Sequence, residues 1–175
     1  QEVKMRNELK HALDMAYTDS LTGLYKQQGL AYKCSEILKD RNVQNSLVFM
    51  DLDNFKMVND MYGHAMGDTI LYEVGRVLKE ETRGKDVVGR YGGDEFVILL
   101  YDVKDEIDTC RVLERIARRI EEVCQSLYLK VNISASIGVA FTAQTGYDYR
   151  FLKEIADDRL YIAKKNGKNK IVKTS

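Results

Sequence analysis

Asp86-Val-Val-Gly-Arg-Tyr-Gly-Gly-Asp-Glu-Phe-Val-Ile-Leu-Leu100 decides the fold. Two apolar runs rich in β-branched residues flank a Gly-Gly-Asp-Glu turn, which is the short-range pattern of a β-hairpin. The tip carries two adjacent carboxylates, Asp94 and Glu95, on a backbone that Gly92 and Gly93 leave uncovered. Bare backbone beside clustered acids admits a bulky polyanion when a metal ion bridges the charges. A second acidic cluster, Asp51-Leu-Asp53, ends the apolar run Ser46-Leu-Val-Phe-Met50. Two carboxylate clusters, each at the end of a short strand, point to a Mg²⁺-nucleotide site.

Outward from the hairpin (87–91 and 96–101), the pattern predicts strands at 46–51, 131–141 and 170–173. Helices are predicted at 27–39, from near Asp68 onward, at 105–127 and at 151–165. Ile70, Leu71, Val74, Val77 and Leu78 make one apolar face, and Leu113, Ile116, Ile120 and Leu127 mark another. The order is a β-α-β-β-α-β core with extra helices, so the expected class is α+β. It is a ferredoxin-like arrangement with an antiparallel-containing central sheet flanked by helices. Ahead of it, Met5, Leu9, Ala12, Leu13 and Ala16 recur at helical spacing. That segment reads either as a helix lying on the domain or as the end of a coiled-coil stalk. The start at Gln1, without Met, favours the stalk and a longer parent protein. The expected division is therefore 1–16 as linker and 17–175 as the domain.

Composition narrows the partners. The 27 basic and 27 acidic residues cancel, so no net field favours nucleic acid or an anionic membrane. A polymerase-like enzyme acting on nucleic acid would want a basic groove that the sequence does not supply. No apolar run reaches a membrane-spanning length. Cys34, Cys110 and Cys124 lack CxxC spacing and fall on apolar helix faces, so reduced, buried thiols in the cytoplasm are expected.

Several ordered blocks carry a resemblance. Gly92-Gly-Asp-Glu-Phe96 is the signature of the GGDEF family, the diguanylate cyclases. Asp19-Ser-Leu-Thr-Gly-Leu-Tyr25 is similar to the family's opening segment, and Asp51-Leu-Asp-Asn-Phe-Lys-Met-Val-Asn-Asp60 to its nucleotide-binding stretch. Tyr62-Gly-His64, Gly67-Asp68, Ser136-Ile-Gly-Val-Ala140 and the segment from Ala156 to Asn169 continue the match in order, over roughly residues 17–171. The resemblance implies a nucleotidyl-cyclase palm that condenses two GTP into cyclic di-GMP and two pyrophosphates. It implies two Mg²⁺ per active site, with Mn²⁺ as the alternative, held by Asp51, Asp94 and the Leu52 carbonyl; Asp94 would also help deprotonate the attacking hydroxyl. Asn54 and Phe55 would offer backbone N–H groups, and Lys56 its charge, to the phosphates. Lys164 and Lys168, read as i and i+4 on a helix, match β- and γ-phosphate contacts. Lys168 stands where the family usually has arginine, which keeps the charge and loses the fork. Asn59 and Asp68 match positions that read guanine, and Asp68 also sits where a helix N-cap is expected. The alternative is an inactive member that serves as a GTP or cyclic di-GMP receptor.

The remaining residues have plainer expectations. Alternation along extended chain is expected to turn Asp53 and Glu95 away from Asp51 and Asp94. Asp53 then becomes a local turn or cap residue and Glu95 a secondary polar contact. His64 is expected to tie its turn together rather than act as a base, and His11 to be solvated. Arg83-Gly-Lys-Asp86 lies five residues before Gly92, the offset of the family's product-binding inhibitory site; otherwise it is a helix-end ion pair. Lys26-Gln27-Gln28 departs from the Asn-Arg-Arg usual after the opening segment, with no metal or phosphate ligand involved. A homodimer, an upstream sensory domain and feedback by product complete what the resemblance implies.

Overall fold

Alternation in the run Leu47–Leu52 determines how the molecule is layered. Val48, Met50 and Leu52 project into one core and Leu47 and Phe49 into another, and all are buried. A strand apolar on both faces must be covered on both. The computed structural model describes residues 1–175 and shows this cover. In chain order the elements are α1 (Glu2–Tyr17), α2 (Gln27–Ile37), β1 (Ser46–Asp53), α3 (Phe55–Tyr62), α4 (His64–Glu81), β2 (Val87–Gly92), β3 (Glu95–Leu100), α5 (Glu106–Gln125), β4 (Ser134–Phe141), α6 (Thr142–Thr145), α7 (Tyr149–Lys165) and β5 (Ile171–Val172). Residues of α3, α4 and α5 pack on the first face and those of α2 and α7 on the second.

The five strands lie in the order β2-β3-β1-β4-β5. β1 is central and antiparallel to both β3 and β4, while β5 adds in parallel to β4. The first four strands have the expected ferredoxin-like connectivity. Asp51 is paired opposite Glu95 on one side and Ser136 on the other. The hairpin register shifts between Arg90 and Gly92, and Gly93 takes a φ of 45° at the tip. Outside β2, Tyr25 forms a parallel bridge to Gly89: its N–H donates to the Val88 carbonyl and its own carbonyl accepts from Arg90 N–H. Gly89 has no room for a side chain, since a Cβ there would meet Leu30 at 2.2 Å.

Several boundaries differ from the sequence reading. α3 is additional to the helices that periodicity predicts, and it occupies part of the nucleotide-binding stretch; Phe55 and Val58 bury its inner face. Gly63, at φ 87°, is the whole connection to α4, which begins at His64 rather than near Asp68. Gly63, rather than His64, therefore makes the turn, and His64 is exposed at the start of α4. β4 starts at Ser134, although Val131 and Ile133 just before it are buried. Cys34 and Cys124 are buried as expected and burial raises their thiol pKa values to about 12 and about 11. Cys110 is only partly buried, because it sits one residue round from the Thr109, Leu113 and Ile116 face of α5. No residue of α1 is buried, and Met5 and Leu9 are 66% and 62% exposed, so this helix does not lie on the domain. No helix is long and apolar enough to cross a membrane.

Candidate active site

β1 ends where the hairpin tip folds back beside it. Leu52 N–H donates to the Asp94 carbonyl at 3.2 Å, which brings the tip against Asp51. Burial, then the neighbouring Asp94 carboxylate, raise the Asp51 carboxyl to about 7, with Glu95 adding to the effect and Lys164 opposing it. Two carboxyl groups this close favour a proton or a cation between them. They suit a hard divalent ion, and Leu52 points its side chain into the core while its backbone stays beside Asp51. No three or more His, Cys, Asp or Glu side chains are placed so that together they could hold a metal ion. Any ion would therefore draw its other ligands from main-chain, phosphate or water oxygens.

Asp53 and Glu95 do not turn away. Residues two apart on a strand share a face, and so do residues paired directly across an antiparallel ladder. Asp53 thus lies on the α7 side with Asp51, and Glu95 is on that side opposite Asp51. Lys164 Nζ lies 2.7 Å from Asp53 and 3.7 Å from Asp51. The Asp53 carboxyl feels burial, which alone would raise it, yet hydrogen bonds from Lys164, Ser134 and Ser136 hold it below the ordinary carboxylate range. Lys168 is not on the helix face with Lys164. α7 stops at Lys165, and Gly167, Lys168 and Asn169 all adopt positive φ. Lys168 Nζ nevertheless comes to 3.5 Å from Asn54 Oδ1, so both lysines border the β1–α3 turn.

That turn presents donors. Asn54 adopts φ 65° at the N-cap of α3 and spends its side-chain amide on the Asn132 carbonyl at 2.9 Å rather than on capping. The first N–H groups of a helix lack intrahelical partners, so Phe55 and Lys56 present theirs where anions are favoured. Lys56 is exposed in this first turn. Deeper in, Asn59 Oδ1 is buried with no hydrogen-bond partner. A Cβ on Gly67 would come within 2.0 Å of that atom, so glycine is what lets α3 and α4 close here. Asp68, next along α4, is exposed and inside the helix rather than at its N-cap. Asn59 therefore lies at the α3–α4 contact with an unpaired acceptor, and Asp68 follows Gly67 on the exposed part of α4.

Away from this cluster, Asp86 accepts Arg83 N–H at 2.7 Å and Tyr101 N–H at 2.8 Å, and its side chain is 3% exposed. Both its oxygens are engaged in closing the base of the hairpin. Arg83 donates through Nη2 to the Tyr101 carbonyl, is 68% exposed and lies 3.9 Å from Asp86. It borders a groove of about 290 Å³ that also includes Arg111 and Arg115.

Arg90 supports the tip through contacts that no local sequence pattern signals. Arg90 donates through Nε to the Gly93 carbonyl at 2.8 Å and through Nη1 to Asp19 at 3.2 Å. Burial raises the Asp19 carboxyl, but hydrogen bonds from Thr22 and the Arg90 charge carry it below its ordinary value. Gln27, in the segment that departs from the family pattern, donates to the Tyr91 carbonyl at 2.8 Å and so also touches the hairpin. The signal available in the sequence was the arginine just ahead of the Gly-Gly turn, which alternation placed on a strand and nothing local paired.

Comparison with known proteins matches the sequence and the fold to a family. The model of the diguanylate cyclase GGDEF domain matches residues 16–170. The chain is 34% identical over 175 residues to the response regulator PleD of Caulobacter vibrioides, covering 96% of this chain and 38% of PleD. It is 39% identical over 127 residues to the diguanylate cyclase DosC of Escherichia coli K12, covering 72% of this chain and 27% of DosC. Among solved structures, the GGDEF domain of TpbB (YfiN) from Pseudomonas aeruginosa superposes with a TM-score of 0.80 at 32% identity, covering 91% of this chain and 95% of that one.

Proposed function

This chain belongs to the GGDEF family of diguanylate cyclase domains, and from that membership we propose that it condenses two GTP into cyclic di-GMP and two pyrophosphates. The observation that carries the reading is the Asp51–Asp94 pair, whose mutual repulsion and burial call for a cation at the end of β1. Lys164 and Lys168 beside the β1–α3 turn, and the unpartnered Asn59 oxygen on α3, support reading the ligand as a nucleoside triphosphate.

Asp51, Asp94 and the Leu52 carbonyl would hold two Mg²⁺, or Mn²⁺ in their place. Such ions, when bound, stabilise the attacking and leaving oxygens of an in-line displacement at the α-phosphate. The protein's own groups do the rest. Backbone N–H groups at Asn54 and Phe55 cradle the phosphates, and Lys56, Lys164 and Lys168 balance their charge. Asn59 and Asp68 hold guanine: an aspartate accepts the N1 and N2 hydrogens that adenine lacks, and the Asn59 oxygen gains its missing donor. Asp94 takes the proton of the 3′-hydroxyl, and Glu95 supports it as a polar neighbour. One GTP per subunit requires two sites face to face, so the working form is a homodimer.

Residues 1–16 act as the end of a stalk from an upstream sensory domain, and residues 17–175 as the cytoplasmic cyclase domain. The exposed apolar residues of α1 support this reading. Cyclic di-GMP returns to Arg83 as a feedback inhibitor, with Asp86 holding the loop in place.

The test is direct. Incubation with GTP and Mg²⁺, with products identified by mass spectrometry, should give one cyclic di-GMP and two pyrophosphates for each two GTP. Asp94→Ala should slow this by roughly a thousandfold, equivalent to about 4 kcal/mol of lost transition-state stabilisation. GTP bound tightly and never turned over would make the domain a receptor instead.

A further inference from the structure

Asp53 is the last residue of β1 and is 1% exposed. Its Oδ1 accepts Lys164 Nζ at 2.7 Å and Ser136 Oγ at 2.7 Å. Its Oδ2 accepts Ser134 Oγ at 2.6 Å and the Asn169 N–H at 3.0 Å. A carboxylate offers about four lone-pair sites, so these donors fill it and leave nothing for a metal ion.

The partners come from three parts of the chain. Ser134 and Ser136 open β4, Lys164 lies in the last turn of α7, and Asn169 closes the segment that follows. In that segment Gly167, Lys168 and Asn169 have φ values of 105°, 63° and 49°. Consecutive left-handed residues other than glycine are sterically unfavourable and persist only where surrounding bonds over-determine them. Two bonds do so here: Lys168 N–H to the Ala163 carbonyl at 3.0 Å, and Asn169 N–H to Asp53. The result is that Lys168 reaches the β1–α3 turn while Lys164 stays partly exposed, 3.7 Å from Asp51.

We infer that Asp53 is a positioning residue for the triphosphate end of the site, acting through Lys164 and the left-handed turn Gly167–Asn169. This rests on the reading that Lys164 and Lys168 meet the β- and γ-phosphates. Asp53 itself touches neither metal nor nucleotide. Its loss therefore weakens recognition of the terminal phosphates and spares recognition of the guanosine end.

Calorimetric binding of a non-hydrolysable GTP analogue and of guanosine monophosphate, both with Mg²⁺, separates the two. In Asp53→Asn, with circular dichroism unchanged, the analogue should bind roughly tenfold more weakly, the scale of one lost charge-assisted hydrogen bond. Guanosine monophosphate should bind as before. Lys164→Met should show the same selective loss, and the double variant no further loss, because residues acting as one unit are not additive. Equal weakening of both ligands, or additive losses, overturns the inference. If Asp53→Asn fails to fold, Ser136→Ala carries the test: it removes one donor to Asp53 and the second acceptor of Asn169 N–H, at 3.1 Å. A wild-type domain that does not prefer the triphosphate over the monophosphate overturns the phosphate reading itself. A wild type that does prefer it, with an Asp53→Asn variant that prefers it equally, overturns only the role of Asp53.

Discussion

Burial and a neighbouring carboxylate act in the same direction on Asp51, and the stability of the domain should follow its titration. The group titrates at about 7 in the folded chain, against an ordinary value of 3.8. Between those values the folded state holds a proton that the unfolded state has released, so this group's effect is to lower stability as pH rises through the window. A bound cation reverses that effect. Thermal melts without metal should therefore lose more stability between about pH 4 and about pH 7 in wild type than in Asp51→Asn, the residue being partly solvated and the difference correspondingly modest. Mg²⁺ should raise the wild-type Tm more at the higher pH and leave Asp51→Asn nearly unmoved. At the guanine end, Asp68→Ala should erode selectivity for GTP over ATP much more than triphosphate affinity. Circular dichroism should be unchanged, since Asp68 is not a cap; competition binding with both nucleotides checks it. Candidate residues that stand close together in sequence could be picked out from it: Asp51, Lys56 and Asn59 share one short block and Asp94 lies in another. The contacts of Asp53 could not, because Ser134, Ser136 and Lys164 are 81, 83 and 111 residues away along the chain. Its side was also misjudged, although counting two residues from Asp51 would have put both on one face.

Among the elements, the strands and long helices followed from periodicity, and the short pieces did not. α3 was hidden because eight residues give too few turns for a 3.6-residue pattern to show. α4 began early because Gly63 alone makes the corner, where a longer capped turn had been expected. This tight corner brings α3 and α4 together at Gly67, and Gly67→Ala tests it. The added Cβ would collide with Asn59 Oδ1 at 2.0 Å and crowd Phe55 at 3.2 Å. Overpacking of this kind costs about 1–3 kcal/mol. A denaturant melt should show that loss, and the KM for GTP should rise with it, because the displaced side chain is the one assigned to guanine. A variant that melts early with an unchanged KM would separate the packing of Asn59 from base recognition. The Asp19–Arg90–Gly93 chain of contacts belongs to this scale as well. Pattern reading found both flanking segments but had no means of pairing residues 71 positions apart.

For the molecule as a whole, the separation between the hairpin's base and its tip shapes how product feedback would operate. Asp86 precedes β2 and Asp94 follows it, and the six residues of that strand span roughly 20 Å. One product molecule at Arg83 would not also fill the catalytic centre, so inhibition by cyclic di-GMP should be noncompetitive with GTP. Arg83→Ala should relieve it with little change in Tm, since that side chain is largely exposed. Asp86→Ala should instead lower stability by about 1–3 kcal/mol, as two backbone N–H groups lose a buried acceptor. Steady-state inhibition patterns and melts of the two variants distinguish these roles. The way the sheet is finished on either flank has a consequence for self-association. Exposed strand edges are templates for aggregation and for joining copies through shared ladders. Here Tyr25 occupies one edge at Gly89, and the other ends in a two-residue strand too short to template anything. Copies of this domain are thereby steered away from fusing sheet to sheet, which would leave helices and loops as the surfaces through which the proposed homodimer forms reversibly.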